Sequence, residues 1–60
     1  MWLLIIIVMT GGTTAEATLE QYPTERRCNI EKVRVELGMH RAYPKDHDYR
    51  LVCRYRDKVA

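Results

Sequence analysis

The feature that most constrains this chain is its apolar head, Trp2-Leu3-Leu4-Ile5-Ile6-Ile7-Val8-Met9, followed directly by Thr10-Gly11-Gly12-Thr13-Thr14. As a helix, eight such residues reach ~12 Å against ~30 Å of bilayer hydrocarbon, too short to span. The threonines and glycines that follow are poor helix formers and would carry polar groups into lipid, so they do not extend the run into an anchor. A short apolar run, helix-breaking residues and then Ala15-Glu16-Ala17 have the layout of a secretory signal peptide with an A-x-A cleavage site. The expected organisation is therefore a signal helix over residues 1–17, cleaved after Ala17, and one small domain over residues 18–60. No Lys or Arg precedes the apolar run, so two alternatives stay open: an uncleaved membrane tether, and a buried apolar segment of a cytosolic protein. No cysteine lies near the cleavage site to carry a lipid, and Arg26-Arg27 follows the run rather than preceding it, unlike a twin-arginine signal.

Export fixes how the two cysteines read. In an oxidising compartment an even count in a tiny domain indicates a disulfide, and Cys28 with Cys53 allows only one intramolecular pairing. Closing that loop is worth ~3.5 kcal/mol by the chain-entropy relation. Residues 18–60 contain no Phe and no Trp, and chains this short usually need a staple, a metal or a partner to stay folded. Free thiols go with the cytosolic alternative, whereas a redox centre would need C-x-x-C, and structural zinc would need more soft ligands at closer spacing.

Along the domain, Tyr22-Pro23-Thr24-Glu25 reads as a helix start. The residue before proline is pushed out of the α region, Thr24 can cap free N–H groups, and Glu25 suits the helix dipole. Gly38 sits where a left-handed residue would close a helix, so the helix is expected over about 24–37. Its apolar residues split: Ile30, Val33 and Leu37 share one face, whereas Cys28 and Val35 lie nearly opposite. Lys32 to Leu37 also alternates polar and apolar, a competing strand pattern. Residues 38–48 read as a loop. Residues 49–56 alternate clearly, with Tyr49, Leu51, Cys53 and Tyr55 on one face and Arg50, Val52, Arg54 and Arg56 on the other. The expected fold class is thus α+β: a small disulfide-stapled domain in which one helix packs on a short strand or hairpin, 49–56, after an N-terminal signal helix.

An export signal, Y-P-T-x-x-x-C opening a helix (Tyr22-Pro23-Thr24 to Cys28) and a strand bearing the second cysteine (Leu51-Val52-Cys53) together resemble small uncharacterised exported proteins of bacteria and their phages. The resemblance spans Tyr22 to Arg54. It departs at the basic continuation Arg54-Tyr55-Arg56-Asp57-Lys58, and it implies no catalytic residue.

Candidate chemistry is sparse. His40, Asp46, His47 and Asp48 are the only grouping with metal-ligand character, but alternate side chains of an extended segment point apart, so a solvated loop is the plainer reading and no cofactor is expected. The chain has no serine, and a Cys/His nucleophile would contradict the disulfide. Any carboxylate pair would lack a cleft able to shift its pKa, so enzyme activity is not expected. Ten Lys and Arg against eight Asp and Glu is too even for specific nucleic-acid binding. Arg50, Arg54, Arg56 and Lys58 form the best binding patch, because guanidinium groups in a row can grip phosphate or carboxylate. The same row would also protect an exposed edge strand from pairing with copies of itself. The functional expectation is a small exported interaction protein, periplasmic or extracellular, meeting an envelope protein or an anionic envelope surface through that strand. Membrane contact would come only through an uncleaved head.

Overall fold

Ile5-Ile6-Ile7-Val8 is an unbroken β-branched run, stiff at χ1 and suited to a pleated backbone, and in the structure it is a strand. The structure, a computed structural model, describes residues 1–57. Its elements in order are β1 (Trp2–Thr10), β2 (Thr13–Tyr22), α1 (Glu25–Ala42) and β3 (Tyr49–Tyr55). β1 and β2 form a hairpin whose two-residue turn is Gly11-Gly12, with φ of +54° and +82°. Positive φ at both central positions is the type I′ geometry that matches strand twist, and glycine adopts it without a Cβ clash.

β1 is the central strand of an antiparallel sheet ordered β2-β1-β3. This corrects the expectation of an N-terminal signal helix: the apolar head is a strand, and the expected single strand or hairpin at 49–56 is one edge of a three-stranded sheet. This strand carries apolar residues on both faces and so shows no alternation, and its pattern matches that of an export helix. The sheet and a leader removed after Ala17 exclude one another. That cut would take β1, the first half of β2, and with them Leu3, Leu4 and Ile5, leaving only Cys28 and Leu51 of the buried apolar residues.

Helix α1 starts as expected. Thr24 is extended (φ −131°, ψ 154°) and its Oγ1 accepts from Arg27 N–H at 3.1 Å. The expected stop at Gly38 is corrected: the helix runs on to Ala42 and ends where Tyr43 N–H donates to Met39 O at 2.7 Å. Gly38 keeps an ordinary helical φ, and the open space around it leaves nothing to force a break. The connection to β3 shortens accordingly to residues 43–48.

The helix covers one face of the sheet. Leu4, Cys28 and Leu51 form the buried cluster, with Trp2, Ile6, Tyr22, Val35, Met39 and Cys53 packed around it. The inward face of β3 is the one its alternation indicated, Leu51 and Cys53 among it, and the disulfide joins Cys28 in the first helical turns to Cys53 with Cα atoms 6.1 Å apart. Of the two apolar faces of α1, the one with Cys28, Val35 and Met39 packs, and Ile30, Val33 and Leu37 point outward. The bridge decides between them, because Cys28 must face β3. The result is a small α+β domain two layers thick, 34 × 24 × 12 Å across its Cα atoms. Among the described residues no helix is long and apolar enough to cross a membrane.

Candidate functional site

With α1 on one face, the other face of the sheet has no second layer among the described residues. Strand alternation assigns Leu3, Ile5, Ile7 and Met9 of β1 to it, together with Arg50, Val52 and Arg54 of β3 and Thr14, Glu16, Thr18 and Gln21 of β2. An irregularity opposite Leu4/Ile5 leaves Leu19 as an extra residue in β2, and this bulge keeps Glu16 and Gln21 on the same face although they are five apart in sequence.

Two residues of this open face are nonetheless covered: Leu3 is 7% and Ile5 3% exposed. Arg54 is in register with Leu3, Glu16 is in register with Ile7, and an ion pair of 3.0 Å joins them from opposite edge strands. The pair therefore crosses β1 above Ile5, and the arginine stem shields the apolar row while its head stays wet. Both side chains are nearly half exposed, so the pair acts as a cover over the row rather than as a buried ionic lock.

The basic row expected on β3 thus divides. Arg54 is engaged by Glu16; Arg50 and Arg56 are exposed and make no ion pair among the described residues. Arg56 is held through its backbone, its N–H donating to Met1 O at 2.9 Å. Lys58 lies outside the described residues. Glu16 belongs to this face although, under the export reading, it would leave with the leader; only the pairing of β1 with both neighbours reveals it.

His40, Asp46 and His47 border one shallow cleft of about 540 Å³ beside Lys32, Glu36 and Arg50, whereas Asp48 borders a different one with Ile6, Val8 and Met39. Among the described residues no three His, Cys, Asp or Glu side chains are grouped to hold a metal ion.

Two tyrosines carry electrostatic signatures of their packing. Tyr22 is raised above the ordinary tyrosine value, first by burial against the core, then by Glu31 and Glu20. Tyr55 is raised by a hydrogen bond to Asp57 and by that residue's charge; its ring also stacks on Trp2, centroids 5.5 Å apart. Neither lies in a cleft with a second reactive group, so these shifts report structure rather than chemistry.

Compared with known protein families, curated proteins and solved structures, the chain matches none.

Proposed function

We propose that this chain is an interaction domain of an oxidising compartment, periplasmic or extracellular, that binds a partner protein through the uncovered face of its sheet. The observation that carries the reading is the central strand: β1 is apolar on both faces, and on the face away from α1 the Glu16–Arg54 pair, rather than a second layer among the described residues, lies over Leu3 and Ile5. Antiparallel sheets with one wet face ordinarily turn polar residues toward water. Here Ile7, Val52 and Met9 extend an apolar row flanked by Arg50 and Arg56, and among the described residues its cover is a side-chain pair that can swing aside.

The partner chemistry follows from that arrangement. Apolar side chains would seat on Ile5, Ile7 and Val52, and carboxylates would meet Arg50, with Arg54 available once Glu16 is displaced; guanidinium groups favour such bidentate contacts. The disulfide supports the compartment, since such bonds persist where thiols are not kept reduced. Export in this reading leaves residues 1–17 in place, because they build the binding face.

The test is site-specific photo-crosslinking in the expressing cell. A photoreactive phenylalanine at position 52 is expected to give a discrete adduct that disappears with Arg50→Glu and Arg54→Glu, while the same group at Glu36, on the helix, does not give that adduct. No adduct at position 52, or one indifferent to the charge reversals, would overturn the proposal.

A further inference from the structure

On the opposite side of the molecule the outward surface of α1 is sorted by charge. At about 100° per residue, the residues within about 60° of Leu37 are Arg26, Ile30, Val33, Arg34, His40 and Arg41. All are exposed: Ile30 by 45%, Val33 by 51% and Leu37 by 55%. The three carboxylates of the helix, Glu25, Glu31 and Glu36, fall on the sides or toward the sheet. Glu31 is only 13% exposed and sits 3.5 Å from Arg27 and 3.6 Å from Arg34.

Neither folding nor capping requires this pattern. The packing of α1 uses Cys28, Val35 and Met39, and a helix end that only balanced its dipole would need cations in the last turn alone. Three large apolar side chains in a line, with Arg26, Arg34 and Arg41 beside them and the three carboxylates of the helix set to the flanks, one of them 3.6 Å from Arg34, form the surface of a helix that lies in a membrane interface. The apolar line enters the headgroup boundary and the guanidiniums meet lipid phosphate.

We infer that α1 docks this domain on an anionic lipid surface, through Ile30, Val33 and Leu37 as the inserted line and Arg26, Arg34 and Arg41 as the headgroup contacts. This goes beyond the partner-binding reading of the sheet and stands independently of it, since the two faces point in opposite directions. The docked molecule lies flat, with the sheet face turned away from the membrane.

The experiment is flotation of the oxidised, full-length protein with phosphatidylcholine vesicles, with and without 30% phosphatidylserine, at low and high salt. Each arginine near an anionic surface contributes about a fivefold gain in partitioning. The triple variant Arg26→Gln, Arg34→Gln, Arg41→Gln should therefore bind about a hundredfold more weakly, and Val33→Ser with Leu37→Ser should also abolish flotation. All these positions are exposed, so the variants should keep the parent's melting temperature, and circular dichroism checks this. The pair Arg50→Gln, Arg56→Gln should float as the parent does. The inference is overturned if the parent fails to float with anionic vesicles. Equal flotation with pure phosphatidylcholine, or loss through the β3 pair and not the helix variants, would also overturn it. So would sedimentation equilibrium showing a dimer that Leu37→Ser dissolves, since a second copy would then occupy this face.

Discussion

Reducing the Cys28–Cys53 bridge is the perturbation whose size can be worked most directly. The two half-cystines are 25 residues apart in sequence, and the loop-closure relation for such a loop gives ~3.5 kcal/mol at 25 °C. At ~0.05–0.15 kcal/mol per residue, a chain of this length has a total stability of ~3–9 kcal/mol. The apolar core cannot replace the loss, because among the described residues only Leu3, Leu4, Ile5, Cys28 and Leu51 are buried and Cys28 is itself part of the bridge. In a domain of this size each kcal/mol moves the melting temperature by ~4–8 °C, so reduction should lower it by ~15–25 °C. The assay is a far-ultraviolet circular dichroism melt with and without tris(2-carboxyethyl)phosphine, with intact mass confirming two added hydrogens. A reduced chain that melts cooperatively within ~5 °C of the oxidised one would show that the core, and not the staple, holds α1 on β3.

Leu4→Ala, at the most buried leucine, should cost ~2–5 kcal/mol and leave no cooperative melt in the reduced protein. Gly12→Ala and Gly38→Ala should move stability in opposite directions, since both glycines have open space around them. The first forces a Cβ into φ +82° and should destabilise by ~1–2 kcal/mol; the second removes chain entropy from a helix interior and should stabilise by ~0.5–1 kcal/mol in urea titration. A double-mutant cycle on Glu16→Gln and Arg54→Gln should give a coupling no larger than ~1 kcal/mol, shrinking with added salt, because both groups are half exposed. Tyr22 and Tyr55 are both raised above 10.0. The unfolded chain therefore loses those protons first, and stability should hold below pH 10.0 and fall as the pH rises through the folded values. Ultraviolet titration of the phenolates beside melts at each pH checks this.

The local signals in the sequence were legible where one segment determined the outcome. Pro23-Thr24-Glu25 marked the start of α1, the alternation of residues 49–56 placed Leu51 and Cys53 inward, and the two cysteines named their own partner. What escaped depended on partners distant in sequence. Residues 2–9 satisfy an export h-region and a strand apolar on both faces equally well, because apolar length is common to both. The deciding signals are the β-branched run Ile5-Ile6-Ile7-Val8 and the Gly11-Gly12 pair between strands, a hairpin signature. With the head read as a leader, β2 has no partner, and Thr13–Tyr22 carries no strand signal of its own. Gly38 misled for the opposite reason: glycine is permitted at a helix end but does not impose one. Of the uncovered sheet face only the β3 row of Arg50, Val52 and Arg54 was legible, since the face is built from three strands and includes Glu16, 38 residues from Arg54 in sequence but one ion pair away in space.

The central claim is that the apolar head is the middle strand of the folded domain. Amide hydrogen exchange on the oxidised full-length protein, resolved to single residues by NMR, tests it most directly. The fold described here requires the amides of Leu4, Ile5 and Ile6, hydrogen-bonded within the sheet on both sides of β1, to be among the slowest to exchange, alongside those of Leu51 and Val52. Exchange of residues 2–10 at unstructured rates, with protection confined to the helix and residues 49–55, would contradict the fold and return the head to the role of a leader.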